Sequence, residues 1–372
     1  DSNSLYPWGM LVTSDGGKTW YRESRLPKQG VRLADSSGHG KISSITNGGN
    51  LIEVNLKDAT GQTKGREEFS IGEIANALKL TPDGKGLIAG EKGLVLVRGS
   101  TGGWQRSDLP DLYRSIDWNS AFRKGDDCWV AGSPGSILLR SEDGGIHWES
   151  CRTGETTPLN SLFFLNSDRG WAVGDLGKIM STKDGGRTWT VQRNAGQRLA
   201  NLNLVESVDQ VPKSAIALLS GSFGNLSGVE LFVKTSANPM DANHPVISAF
   251  ERNRQGLNRL GNSTYNVSAM SDLKKVEEQL VRSIRQWKPS MLLVPELESG
   301  WTDLVRRSLI AAGSTESYTE HFDWGLITWQ VEKLVTVSES DQSDQLDHRV
   351  PTDQFSAALG RTVAEQSRFG GL

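Results

Sequence analysis

Four glycines, Gly48, Gly90, Gly132 and Gly174, recur at steps of 42 residues. Nearly the same stretch follows the last two. It reads Gly-Ser-Ile-Leu-Leu-Arg-Ser-Glu-Asp-Gly-Gly-Ile-His-Trp at 135–148 and Gly-Lys-Ile-Met-Ser-Thr-Lys-Asp-Gly-Gly-Arg-Thr-Trp at 177–189. A third copy, Met10 to Trp20, keeps Thr13, Asp15, Gly17, Thr19 and Trp20 in register. Trp20 and Trp104 stand 84 residues apart, which is two periods. A period of about 40–45 residues holding several short strands is the pattern of propeller blades. The expected fold is therefore a β-propeller.

The clearest unit reads as four strands, Leu159–Leu165, Trp171–Gly174, Lys178–Thr182 and Thr188–Gln192, separated by turn residues. Its Ser/Thr-x-Asp-x-Gly-x-Thr-Trp stretch is an Asp-box, or BNR repeat. Asp15, Asp143 and Asp184 are expected to accept backbone N–H bonds across the turn. Gly17, Gly145 and Gly186 supply its positive φ. Trp20, Trp148 and Trp189 are expected to bury their rings between blades. These acids read as structural, because the turn already uses the carboxylate.

Two copies have decayed. Gly93–Trp104 keeps Gly102, Gly103 and Trp104 but has Thr101 where the Asp belongs, and Asn50–Gly61 keeps Asp58 and Gly61 without the Trp. The count is about five blades, the first lacking its opening strands. A closed ring hides its end edges, so either material outside this sequence closes it or the chain is a piece of a longer protein.

With 41 basic and 44 acidic residues among 372, charge is near balance, and no nucleic-acid or anionic-membrane partner is expected. No apolar run approaches the length of a membrane span. The opening Asp-Ser-Asn-Ser carries neither Met nor signal peptide, which reads as a mature or excised fragment. Cys128 and Cys151 fall two strands apart in one blade, about 9–10 Å, too far for a disulfide. Two free, half-buried thiols are expected, and they do not settle the compartment.

After Arg198 the rhythm changes. Leu273, Val276, Leu280, Val281, Ile284 and Trp287 mark one face of a helix capped by Ser271 and stopped before Pro289. Met291–Val294 reads as a buried strand, Val229–Val233 as another, and Trp301–Ala312 and Val246–Leu260 as helices. Asn201–Glu206 reads either as the opening strand of a sixth blade or as the first strand of an α/β domain. The second is preferred, since Pro212–Ser220 then makes the first crossover helix. Alternating strands and helices imply a mostly parallel sheet. The organisation expected is blades over 1–198, an α/β Rossmann-like domain over 199–336, and a polar linker with a terminal helix (Thr352–Gln366) over 337–372.

Two resemblances add to this. Gly170-Trp171-Ala172-Val173-Gly174 followed by Asp184-Gly185-Gly186-Arg187-Thr188-Trp189 resembles the photosystem II stability and assembly factor propellers, with a weaker copy at Cys128–Gly132. That resemblance implies an exported protein (periplasmic, lumenal or extracellular) that binds or assembles others. Asp-boxes also mark sialidases, sortilin-like receptors and xyloglucan-cleaving glycosidases. The second domain is similar to the PIG-L (LmbE-like) zinc deacetylases in Val229–Thr235, the Ala249–Gly261 helix and Val281–Val294. That family's Ala-His-Pro-Asp-Asp-Glu signature would fall on Val205-Glu206-Ser207-Val208-Asp209-Gln210, and its later His-Pro-Asp-His near Gly300-Trp301-Thr302-Asp303. Its ligand His becomes Glu206 and its base becomes Val208. A hydrolytic zinc needs imidazole and carboxylate ligands and a base for its water, and Val208 takes no proton.

Other chemistry is thin. His321 and Asp323 are a close His/acid pair that reads as surface. Glu296, Glu298 and Asp303 stand where α/β folds place ligands. Arg98, Arg106, Arg114, Arg123 and Arg140 are candidates for a sialidase-type arginine triad, and Gly221-Ser222-Phe223-Gly224 is a lone Gly-rich turn. Tyr113 and Trp118 read as blade core, or else as part of a binding face. The leading expectation is a non-catalytic scaffold that binds protein or glycan partners on a propeller face and needs no cofactor. The alternative is a metal-dependent deacetylase of acetylated amino sugars through an all-carboxylate site of Glu206, Asp209 and Asp303. A third is an Asp-box glycosidase fragment.

Overall fold

The computed structural model describes residues 11–13, 15–22, 30–38, 41–55, 68–194, 198–233, 262–269, 272–295, 299–337, 353 and 355–368. The chain forms two compact units. One is Asp1–Gly174 with Ile179–Arg193, and the other is Asp175–Lys178 with Asn194–Leu372.

The first unit holds four four-stranded antiparallel sheets and one two-stranded hairpin. The hairpin pairs Leu11–Val12 with Tyr21–Arg22. The sheets open on Val31–Gly38, Ala75–Leu80, Asp117–Lys124 and Leu159–Phe164, and these four innermost strands lie side by side. This is the blade-by-blade arrangement that the repeat implied, with the first blade reduced to its last two strands. Between blades lie apolar layers. The fourth and fifth blades share Trp129, Ala131, Leu138, Leu162, Phe164, Ala172 and Met180. Trp129 is fully buried and stacks on Phe164 with ring centroids 3.8 Å apart, a burial that contributes about 2–3 kcal/mol.

The 42-residue step of the glycines has a steric cause. A Cβ on Gly90, Gly132 or Gly174 would run into the backbone carbonyl of Ile74, Asp117 or Pro158, where the innermost strand begins. Only glycine admits that approach. Gly48 differs, because a Cβ there would meet nothing closer than the Thr46 hydroxyl at 3.7 Å.

The second unit is built on a five-stranded parallel sheet. Its strands are β1 (Asn201–Val205), β2 (Ser227–Val233), β3 (Asn262–Ala269), β4 (Met291–Pro295) and β5 (Lys333–Val337), in the order β3-β2-β1-β4-β5. Asn201–Glu206 is thus the central strand of a parallel sheet and not a sixth blade. Apolar side chains cover the sheet on both faces, as parallel sheets require. One layer is α1 (Leu273–Trp287) and α2 (Ser299–Gly313), which bury Val276, Leu280, Ile284, Trp287, Leu304 and Val305. The other joins Val205, Ile216, Ala217, Val229 and Leu231 to Val363 of the terminal helix.

Several details depart from expectation. The cap of α1 is Asp272, whose carboxylate accepts from the Lys274 amide at 2.9 Å, rather than Ser271. The first crossover is one α-turn, Lys213–Ile216, followed by a π-helical stretch, Ala217–Ser222. The terminal helix is Val363–Arg368, shorter than expected because a small hairpin, Phe355–Ser356 with Arg361–Thr362, precedes it. Both cysteines are free and buried rather than half-buried. Burial pushes the Cys128 thiol up to about 12 and the Cys151 thiol up to about 11, so both stay protonated and unreactive. The decayed Asn50–Gly61 box beyond residue 55, the expected Val246–Leu260 helix and the linker over 338–345 lie outside the described residues.

Candidate functional site: the blade mouth

The acidic turns occupy one end of the blades. Asp184 Oδ1 accepts the Thr188 amide at 2.9 Å and its Oδ2 the Thr188 hydroxyl at 2.5 Å, while Thr182 donates to Oδ1 at 2.7 Å. Asp143 makes the matching set with Ser141 and His147, and Asp15 with Thr13 and Thr19. Gly17, Gly145 and Gly186 all have φ between 91° and 96°. Each Trp then closes its own turn: Trp20, Trp148 and Trp189 donate to the carbonyls of Gly17, Gly145 and Gly186. Burial alone would raise Asp184, but the Thr188 and Thr182 bonds outweigh it and lower its carboxyl to about 2. The Thr19 hydroxyl and amide lower Asp15 likewise to about 2. Every carboxylate oxygen is engaged locally, so the turns offer no catalytic acid. Trp148 and Trp189 are half-buried, whereas Trp20 is 57% exposed, against the expectation of burial.

The opposite end carries the loops between second and third strands and the crossings from one blade to the next. Here each innermost strand has a bulge one residue in, at Arg32, Asn76, Asn119 and Asn160. Bulges re-aim a side chain, and three of these reach the next blade. Arg32 Nη2 donates to Asn76 Oδ1 at 2.9 Å, Asn76 Nδ2 to the Trp118 carbonyl at 3.2 Å, and Asn119 Nδ2 to the Leu159 carbonyl at 3.0 Å. Beside them a cleft of about 260 Å³ opens between the second and third blades, lined by Arg32, Asn47, Gly48, Gly49, Gly72 and Glu73. Glu73 is tied to Arg106 at 2.7 Å. Burial and the Asp117 carboxylate raise the Glu91 carboxyl, opposed by Arg32 and Lys92. This mouth has mixed charge and a glycine-lined floor. Its signal in the sequence was the glycine period itself; the bulged polar residues carried none.

The other candidates disperse. Glu206 ends β1 half-buried, next to β4 where the strand order reverses, while Asp209 lies exposed in a 3₁₀ turn and Asp303 exposed on α2. Among the described residues the only group of three ligand-type side chains within 4.8 Å of one another is Glu278, Glu320 and His321. The carboxylates aligned with the zinc signature are a different set, and they do not fit a hydrolytic zinc. His321 is fully buried rather than surface, between Tyr318 and Trp324. Its Nδ1 faces Arg285 Nη1 at 3.4 Å, a positive charge that opposes a cation there. Glu296 and Glu298 lie outside the described residues. The blade arginines have partners of their own: Arg98 with Glu53, Arg106 with Glu73, Arg114 with Asp111, Arg123 with Asp126 and Arg140 with Asp127 and Glu142. Tyr113 and Trp118 are blade core, 9% and 0% exposed.

No family model matches the chain. The photosystem II assembly lipoprotein Ycf48 of Trichormus variabilis is 27% identical over 178 residues, covering 46% of this chain and 51% of that protein. The chloroplastic photosystem II stability/assembly factor HCF136 of Arabidopsis thaliana is 25% identical over 228 residues, covering 54% and 55%. About half of this chain is homologous to the Ycf48/HCF136 type of β-propeller. The chain in turn spans about half the length of these relatives. Among solved structures, YCF48 bound to a D1 peptide aligns with TM-score 0.31 and 22% identity over 35% of this chain and 45% of that one. Among the described residues no helix is long and apolar enough to cross a membrane.

Proposed function

We propose that the chain is a non-catalytic assembly scaffold that holds a segment of a partner protein at the blade mouth. The observation that carries this is the cleft between the second and third blades, with Arg32 at its edge and glycines along its floor. Its volume suits two or three side chains of an extended segment, and the glycines leave backbone N–H and C=O groups within reach of another backbone. A glycan is the poorer fit, because the aromatic rings near the mouth that would face a sugar, Tyr113 and Trp118, are buried. The homologous relatives bear the name of assembly factors, and a role in assembling other proteins comes to this chain from them. An exported location rests on the same relatives, one a lipoprotein and one chloroplastic. For the second unit the reading is a Rossmann-like, PIG-L-type domain without working chemistry, supported by strand order β3-β2-β1-β4-β5 and by Val208 in the place of the base.

The test is panning of a displayed peptide library on the intact chain, with the Arg32→Ala chain run in parallel. Peptides that bind the native chain and lose about tenfold or more in affinity on Arg32→Ala support the mouth as the site. Peptides that bind both equally place recognition elsewhere, and the absence of any binder overturns the scaffold reading.

A further inference from the structure

The two faces of each blade carry different residues. The fourth blade turns Phe122, Trp129, Ala131 and Leu138 toward the fifth, which answers with Leu162, Phe164, Ala172 and Met180. Trp129 is 0% exposed, and its indole N–H donates to the Gly185 carbonyl in the fifth blade's acidic turn. In the fifth blade the residues equivalent to that outgoing set are Phe163, Trp171, Val173 and Ile179. Phe163 pairs across the strands with Trp171 just as Phe122 pairs with Trp129. The fifth blade has thus kept the apolar residues, tryptophan included, that receive a following blade. Among the described residues none covers them. Phe163 is 53% and Val173 39% exposed, and Trp171 and Ile179 are half-buried.

The complementary surface stands at the other end of the same unit. In the Leu11–Val12/Tyr21–Arg22 hairpin, Leu11 and Trp20 occupy the positions of Met180 and Trp189 in the fifth blade. Met180 is fully buried against the fourth blade, whereas Leu11 is 58% and Trp20 57% exposed. A Cβ on Gly186 would lie 3.5 Å from Trp129, while one on Gly17 would meet only its own Trp20. The Asp15 turn is nonetheless fully hydrogen-bonded, so this end is preformed. One end is a receiving face without a turn to fill it, and the other a turn without a face to receive it.

We propose that these ends meet between two copies of this chain, the hairpin of one docking head-to-tail on the Phe163/Trp171 face of the other. The occupant follows from the inter-blade contact already present in the molecule: the junction repeats the fourth-to-fifth blade interface, with the Trp171 indole N–H donating to the Gly16 carbonyl of the second copy as Trp129 donates to Gly185. Such a contact is heterologous, so it propagates into rings or open chains rather than stopping at a symmetric dimer.

Sedimentation velocity on the intact chain across a wide concentration range tests this. The native chain is expected to form species larger than a dimer. A face-blocked chain (Phe163→Asp with Trp171→Ser) and a hairpin-blocked chain (Leu11→Asp with Trp20→Ser) should each stay monomeric, their association weakened about tenfold or more. Mixed in equal amounts they should form a dimer and nothing larger, since one intact hairpin then meets one intact face. The substituted residues are exposed or half-exposed, and unchanged circular dichroism verifies that the folds survive. A native chain that is monomeric throughout, its face covered by its own second unit or left open, overturns the proposal. So does either blocked chain that still self-associates, which would mean a back-to-back contact.

Discussion

The Trp129 indole N–H donates to the Gly185 carbonyl at 2.7 Å, fastening the fourth blade to the turn of the fifth. Both groups are buried, so losing the donor leaves the carbonyl without that partner. Trp129→Phe keeps much of the ring stack on Phe164 and should cost about 1–2 kcal/mol. That lowers the melting temperature of the propeller unit by about 2–8 °C in calorimetry. Trp171→Phe, at the equivalent but uncovered position, should leave the monomer's melting temperature unchanged. Equal effects at the two sites would show that the indole bond contributes nothing.

Asp184 supports its turn only as a carboxylate. Its folded pKa of about 2 lies below the ordinary value of 3.8, so its contribution is complete above pH 4 and is lost as pH falls through about 2. Asp184→Asn keeps the shape but weakens the acceptor. It should cost about 1–2 kcal/mol at pH 7 at this partly exposed site, and the gap to the native chain should close toward pH 2. Urea unfolding of both chains at pH 7, 4 and 2.5 measures this. A gap that stays constant with pH would show that the charge is not what holds the turn.

The repeat was the most legible part of this chain because it is enforced by local sterics. Gly90, Gly132 and Gly174 recur because a carbonyl passes where a Cβ would be, and the Asp-x-Gly-x-Thr-Trp order recurs because one turn uses each residue. Parallel strands were legible too, since Leu202, Leu204, Val229 and Leu292 sit in continuous apolar runs. The mouth was not. Arg32, Asn76 and Asn119 look like ordinary strand residues, and only the bulges turn them toward the next blade. His321 misled for a similar reason: its burial depends on Arg285 and Tyr318, distant or neutral in the sequence but packed around it in the fold.

Arg285 is fully buried and donates to five backbone carbonyls, those of Ala311, Ala312, Ser314, Ser317 and Tyr318. Its guanidinium also lies over Phe322, 4.8 Å from the ring centroid. The planar fork ties the end of α2 and the following turn to α1. A lysine reaches one or two of these carbonyls with a single ammonium. Arg285→Lys should therefore destabilise the second unit by about 3 kcal/mol or more. Hydrogen exchange should show protection lost first over residues 311–321. Unaltered exchange there would mean the turn holds itself.

His321 lies in the same knot. Burial, with Arg285 and Arg282 nearby, lowers its imidazole to about 3, so it is neutral in the folded chain at any physiological pH. Unfolded, it takes a proton near 6.5. Below that pH the unfolded state binds a proton that the folded state refuses, so stability is present above pH 6.5 and declines as pH falls toward 3. One such proton gives a slope of at most about 1.4 kcal/mol per pH unit. His321→Phe keeps a flat ring between Tyr318 and Trp324 and leaves Arg285 its five carbonyls, but it removes the proton site. Urea unfolding of the second unit between pH 7 and 4 should fall more steeply for the native chain than for the variant, by up to one proton's worth. Parallel declines would mean that the imidazole is charged inside the fold, with its proton held by Glu278 or Glu320, the two carboxylates that cluster with it.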